Sequence, residues 1–470
     1  MHVTPWAIPS FRRLFSAQII ALVGTGLSTV ALTLLAFDMV GGSAAAVLGT
    51  ALAFKMVAYV VFAPIVGGLA HRFARKRFLI AMDLVRAATM LLFPLATQVW
   101  QIYLLIFLLN LFSAGFKPVF TATIPDIVTD ERQYTRALSM SRLAYDLENL
   151  LSPLLAGLAL LVFTYSNLFM ANAVAFVLSA LLVLVTRLPI SRPSDRLGTL
   201  SQQIKFGLLA YLKTPRLRGL LALYVSVSSA SAMVIVHTVV YVRGTLGRAE
   251  SDVAIALGAA GMGSMLVALL LPRLLDKRPD RPIMLGGTIL MAAGLVWMGM
   301  GPGFVALLPA WFLVGAGWSA VQTPAGRLVN RSASAGDRPA YFSAQFALSH
   351  ACWFVLYPVA GHLGTRIGIE MTALILAANV LLFALVAARL WPARDDKSLP
   401  HVHDELDHEH EHVHDEHHDH GHDGSEGDEP HRHPHRHGRI EHSHVFVIDD
   451  HHQAWPRYRV AEQRHSHLHD

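Results

Sequence analysis

Gly67-Gly68-Leu69-Ala70-His71-Arg72-Phe73-Ala74-Arg75-Lys76-Arg77 is the stretch on which the reading of the fold turns. Arg72, Arg75, Lys76 and Arg77 are packed into a short segment between two long apolar runs, one ending near residue 70 and the next beginning near 78. A helix crosses a bilayer with roughly 20 predominantly apolar residues, and both runs are of that kind. Working outward in both directions gives twelve such runs, at 15–37, 45–70, 78–96, 102–124, 138–162, 168–187, 219–239, 253–271, 282–299, 305–326, 341–363 and 371–390. The cations fall almost entirely on alternate connections, 71–78, 126–136, 187–218, 272–282 and 327–339, whereas the opposite connections hold only Arg243, Arg248 and Arg366. By the positive-inside rule this asymmetry predicts a multi-pass membrane protein with both termini in the cytoplasm.

Composition agrees. Of 470 residues, 53% are hydrophobic and 15% charged, against about 25% charged in a soluble domain. The charge is divided along the chain: residues 391–470 carry 8 Lys+Arg and 19 Asp+Glu, so the preceding residues are strongly basic. Those basic residues alternate with apolar runs and form no single patch, which excludes a nucleic-acid partner. A lone cysteine, Cys352, excludes an intrachain disulfide and a thiolate metal site. The apolar run that follows Arg12 and Arg13 is too long for a signal peptide and reads as the first span.

The longest internal connection divides the spans into 1–187, a six-helix bundle; 188–218, a cationic linker with an amphipathic stretch around Gln203–Lys213; and 219–390, a second six-helix bundle. Two equal halves joined this way predict rocking about a central site. The segment from Gly67 to Arg77 resembles the signature of the major facilitator superfamily, Gly-x-Leu-Ala-Asp-Arg-x-Gly-Arg-Lys/Arg, with His71 in place of the Asp and Ala74 in place of the second Gly. The resemblance implies an all-α membrane fold of twelve helices and a gating motif formed by Gly67, His71, Arg72, Arg75 and Lys76, with Asp83 and Arg86 supplying the missing charge pairing. Ser152-Pro153-Leu154-Leu155-Ala156-Gly157 is similar to the Gly-Pro-x-x-Gly-Gly element of superfamily antiporters, and Phe116-Lys117-Pro118 and Ile124-Pro125-Asp126 resemble its drug and siderophore exporters.

Ionisable groups inside spans are unfavourable by roughly 2.5–3.5 kcal/mol each and persist when paired or functional. Asp146 follows Arg142 at helical spacing, which allows an ion pair. Asp146 and Glu148 are two residues apart and lie on different faces, so one of the two is expected in the central cavity, carrying substrate or proton. His350 and Asp38 are further candidates on the substrate and proton pathway. Lys55 is expected to pair with a carboxylate such as Asp38 or Asp146.

Beyond Trp391 the hydrophobic pattern stops, and residues 391–470 form a His/Asp/Glu-rich extension holding 21 of the 26 histidines. Candidate metal ligands are His401, His403, His408, His410, His412, His414, His417, His418, His420 and His422, then His431, His433, His435, His437, His442 and His444. Neutral imidazole suits nickel, cobalt, copper(II) and zinc, and the absence of Cys and Met argues against copper(I). So polar a segment predicts a disordered, multivalent chelator. With a facilitator fold the extension resembles nickel-resistance exporters of the NreB type. That implies export of Ni2+ or Co2+ by proton antiport, with no tightly bound cofactor, from a monomer in the lipid bilayer. The other reading is export of drugs or siderophores, with the extension as metal sensor or buffer. No nucleophile–base constellation marks an enzyme.

Overall fold

The computed structural model describes residues 4–40, 44–69, 74–189, 200–393, 398–403, 406–412, 431–437, 440–448 and 455. Thirteen α-helices run through the described residues: α1 Pro9–Val40, α2 Ala44–Leu69, α3 Arg75–Leu92, α4 Val99–Ile127, α5 Glu131–Leu160, α6 Tyr165–Val185, α7 Leu200–Lys213, α8 Pro215–Val239, α9 Glu250–Leu275, α10 Asp280–Gly299, α11 Phe304–Arg331, α12 Arg338–Ile367 and α13 Ile369–Leu390. In hydrocarbon every peptide N–H and C=O needs an internal partner, which apolar runs of this length meet by becoming helical. Local signals set the ends. Asp130 caps α5 by accepting from the Gln133 backbone N–H at 2.8 Å. Pro215 opens α8, where its missing N–H is no loss. Gly368, at φ 87°, makes the abrupt turn from α12 into α13.

Ten of these helices are long and apolar enough to cross a membrane, with α2, α5 and α7 outside that set. In α2 the described side chains cover only Phe54–Val66, an apolar stretch too short to be counted among the ten. In α5 the charges of Arg136, Arg142, Asp146 and Glu148 lower the hydropathy. The amphipathic stretch expected in the linker is helix α7. Expected spans and observed helices coincide in order and type, and the helices extend further at several ends: α5 begins at Glu131, earlier than the run at 138.

Within the first half α1 packs on α6, α3 on α6 and α2 on α4; within the second, α9 and α10 pack on α11 and α8 on α13. The halves meet where α2 lies against α12 and α5 against α9 and α11. Packing inside each half is tight because small residues sit at the crossings. A Cβ added to Gly315 of α11 would lie 1.8 Å from the Ala260 carbonyl oxygen of α9. Large apolar side chains such as Leu161, Val162 and Val305 are exposed on the outside, as a lipid-facing surface requires.

The chain divides into two compact units, Met1–Ala393 and Arg394–Asp470. In the second, β1 (Ser398–His403) pairs antiparallel with β4 (Ile440–Val445), and β2 (Leu406–His412) with β3 (His431–His437). These segments lie within the extension that the sequence reads as a disordered chelator. Of the candidate ligands, His414, His417, His418, His420 and His422 lie outside the described residues. Phe446 and Ile448 are buried, and the Phe446 ring meets Trp455 edge-on at 5.1 Å. This apolar run was the one non-repetitive patch in the extension's sequence.

The α9–α11 crossing gives a direct test. Gly315→Leu should destabilise the protein by about 1–3 kcal/mol or prevent folding, through overpacking. Gly286→Ala, at a position with no neighbour within 4 Å, should leave the melting temperature in detergent unchanged.

Candidate functional site

The cation-rich end of the bundle is closed by ion pairs that join the two halves. Asp126, at the end of α4, accepts from Arg75 of α3 in its own half and from Arg338 of α12 in the other. Arg75 also donates to the Ala335 carbonyl at 3.2 Å. Beside this, Arg327 of α11 pairs with Glu131 of α5 at 2.8 Å and donates to Thr135 at 2.9 Å. Tyr134 donates its hydroxyl to the Gly326 carbonyl at 3.3 Å. The sequence reading assigned the missing gating charge to Asp83 and Arg86. These do pair, but within α3, where Ser179 also donates to Asp83 at 2.8 Å. Arg86 is further held between the rings of Phe116 and Phe176 at 4.1 and 4.4 Å. At this end the carboxylates that reach across the halves are Asp126 and Glu131. Of the expected gating residues, Arg75 takes part, Lys76 makes no ion pair among the described residues, and His71, Arg72 and the surroundings of Gly67 lie outside the described residues.

One level deeper, α5 ties into the other half again. Arg142 and Asp146 form the expected intrahelical pair at 2.9 Å. Ser264 of α9 donates to Asp146 at 2.6 Å while accepting from Arg142, which also reaches Gln322 of α11 at 3.2 Å. Asp146 is buried in this junction, 4% exposed, and does not line the cavity described next. Of the two carboxylates weighed from sequence, it is the one with a structural partner set.

Between the halves lies a cavity of about 370 Å³, lined from α1 to α6 and from α8, α11 and α12. Its cations are Lys55, Arg86, Lys117 and Arg142, and no Asp or Glu is among the described residues that line it. Arg86 and Arg142 have their carboxylates behind them. Lys55 and Lys117 have none within ion-pairing distance among the described residues. The Tyr59 ring lies 5.7 Å from the Lys55 ammonium, and Lys117 donates to the Tyr59 hydroxyl at 3.2 Å. The expected pairing of Lys55 with Asp38 or Asp146 is thus replaced by an aromatic contact, for a geometric reason. Asp146 faces α9, and Asp38 is exposed near the far end of α1, next to the Tyr165 hydroxyl. Glu148 is half-buried behind the wall, in the field of both lysines.

His350 does line the cavity. Its Nδ1 lies 2.7 Å from the Phe346 carbonyl, and since a carbonyl only accepts, Nδ1 carries the hydrogen and Nε2 is left as an acceptor. The ring packs against Tyr59, Phe346 and Trp353 at 4.8, 4.1 and 5.2 Å. His237, by contrast, bonds the Ala360 carbonyl at 2.9 Å and is a buried packing residue. Among the described residues no group of three or more metal-type ligands is gathered in one place. The wall therefore offers cations, aromatic rings and amides. Lys117, which enters the sequence analysis only through Phe116-Lys117-Pro118, is a wall residue absent from the pathway candidates named there.

A two-half bundle with a polar cavity at the seam and ion pairs closing one end is the build of a secondary transporter. Residues 14–356 and 241–410 match the Major Facilitator Superfamily, and the chain belongs to that superfamily of multi-pass membrane transporters. The MFS-type transporter YfiS of Bacillus subtilis (strain 168) is 25% identical over 346 residues, 70% of this chain and 80% of that one. Macrolide efflux protein A of Streptococcus pyogenes is 25% identical over 195 residues, covering 47% of its length and 40% of this chain. Among solved structures, the human organic anion transporter MFSD10 superposes with a TM-score of 0.70 at 12% identity, covering 81% of this chain and 99% of that one. The Escherichia coli fucose:proton symporter FucP gives 0.62 at 13%, covering 80% and 98%. At these identities the structural likeness concerns the fold.

The Asp126 bridge sets which end of the cavity is open. Asp126→Asn should weaken the closure and raise the rate at which a thiol reagent applied from the cation-rich side labels a cysteine placed at Ser141 on the wall, in a Cys352→Ser background. Lys76→Gln, outside the bridge, should leave that rate unchanged.

Proposed function

We propose that this transporter exports amphipathic organic anions, including metal ions held in anionic chelates. The observation that carries the reading is the pair of lysines, Lys55 and Lys117, on a wall that shows no carboxylate among the described residues. Two unit charges 4 Å apart interact by about 4 kcal/mol at an effective dielectric constant of 20, and a dication is affected about twice as strongly. A bare Ni2+ entering this cavity is thus repelled by each lysine with only Glu148 to offset it, whereas a carboxylate or sulfonate is attracted by both. The rings of Tyr59, Phe116, Phe346 and Trp353 suit the apolar part of such a molecule. Export is supported by the likeness to macrolide efflux protein A. It also agrees with energetics, because an inside-negative potential drives an anion outward by about 2.3 kcal/mol per charge per 100 mV.

Glu148 and His350 are the titratable groups we assign to proton coupling. Glu148 and the substrate anion draw on the same lysines, so neutralising Glu148 leaves both lysines to the substrate. The exchange of bare Ni2+ or Co2+ for protons is the second reading. It is favoured by the histidines of the extension alone, and it would require metal and proton to compete for carboxylates on the wall. The extension in our reading keeps metal near the carrier.

In proteoliposomes under an imposed inside-negative potential, a fluorescent aromatic sulfonate should be moved outward. Lys55→Gln combined with Lys117→Gln should lower its initial rate by about tenfold or more, the scale set by losing one or two charge-assisted contacts. Transport of free Ni2+ with no movement of any organic anion would refute this reading in favour of the second. Glu148→Gln should strengthen anion binding at neutral pH and flatten its pH dependence; in the unaltered protein binding should strengthen as the medium is acidified.

A further inference from the structure

Three glutamines are among the described residues that line the cavity, Gln18 of α1, Gln322 of α11 and Gln345 of α12. A primary amide can donate or accept, so the group it offers a ligand depends on what holds the other. Here the oxygen is taken each time. Ser141 donates to the Gln18 Oε1 at 3.1 Å, Arg142 to the Gln322 Oε1 at 3.2 Å, and the Tyr211 hydroxyl to the Gln345 Oε1. A guanidinium only donates, which fixes the orientation of Gln322. The amide of Asn110, also on the wall, is set the other way: its Nδ2 donates to the Ile106 carbonyl at 2.8 Å and its oxygen is left over.

Gln345 stands out among the three. It is 8% exposed, and its Nε2 is buried and makes no hydrogen bond to a described residue. A buried donor left unmade is costly, and such a group calls for an explanation. Its oxygen is held from outside the cavity, because Tyr211 belongs to α7, the linker helix, and is fully buried there. Helix α7 sits on α12 with little play. A Cβ added to Gly207 would lie 2.8 Å from the Ala340 carbonyl oxygen, and the rings of Phe206 and Tyr341 meet at 6.2 Å. Gly207 and Tyr211 are one turn apart, as are Tyr341 and Gln345, so these contacts follow one another along the two helices. Gln345 precedes His350 by five residues, about 7.5 Å along the axis toward the end closed by Arg338. His350 marks the level of the lysines, since its ring packs on Tyr59, which touches both.

We propose that Gln345 binds an uncharged oxygen acceptor of the transported molecule, a ketone, ester or amide carbonyl, while the lysines bind its anionic group. Tyr211 is the positioning residue that keeps the Gln345 oxygen turned away. Resting on the organic-anion reading, this assignment narrows it to anions that carry a carbonyl at the end remote from the charge. An amide N–H has no net charge, so it matches a neutral acceptor without the desolvation that a second ion would require.

The test compares two naphthalene sulfonates that differ at the ring end remote from the sulfonate. One bears an acetyl group there and the other isopropyl, which exchanges the ketone oxygen for a methyl. Their Kd values are measured by fluorescence on the full-length protein in detergent, and the ratio of the two is the readout. Gln345→Met keeps the side-chain length without the donor and should weaken the acetyl probe relative to the isopropyl probe by about three- to tenfold. Tyr211→Phe removes one hydroxyl outside the cavity, frees the amide to turn, and should move the ratio the same way by about twofold or more. General damage to the fold affects both probes and cancels in the ratio. A ratio unmoved by both substitutions would overturn the proposal. Lys55→Gln with Lys117→Gln should weaken both probes alike. If it weakens neither while Gln345→Met still shifts the ratio, the anion reading fails and the carbonyl subsite stands; binding of neither probe would overturn both.

Discussion

Hydrocarbon does not solvate charge, and that single constraint arranges most of this molecule. Each ionisable side chain placed on a long apolar helix has to face another helix or the seam between the halves. The result is three levels of polar contact along one interface: Arg75 and Arg338 on Asp126, then Arg142 and Asp146 with Ser264, then Lys55 and Lys117 around Tyr59. The seam collects charge because it is the place where water can follow.

The levels differ in what they do to motion. Within each half, glycine-mediated crossings such as Gly315 on Ala260 leave little room for adjustment. Between the halves the closure at the cation-rich end consists of ion pairs that are partly exposed, with Asp126 and Arg338 at 15% and 19%. Such pairs contribute modestly and exchange readily for water. Rigid halves with a weakly held seam are what alternating access by rocking requires. The buried Arg142–Asp146–Ser264 junction is held more firmly, since separating it would leave charge unpaired in a poorly polarisable setting.

The extension has a different composition. Few of its residues are apolar, and histidine, aspartate and glutamate dominate it. The membrane unit presents cations to its cavity.

The helices and their order were legible in the sequence, since apolar run length follows directly from the cost of desolvating backbone and charge. The intrahelical pair Arg142–Asp146 was legible too, because its partners share one helix and fixed spacing decides the contact. The partner of Arg75 and Arg338 was not: Asp126 lies on a third helix, and no periodicity relates positions 75, 126 and 338. The same holds for Lys55, whose neighbour Tyr59 took the place of the carboxylates expected from sequence. Sequence fixes what is local in the chain, through spacing and solvation. Which charges face one another across a seam is settled only when distant segments are brought together, because Coulomb interactions depend on separation in space.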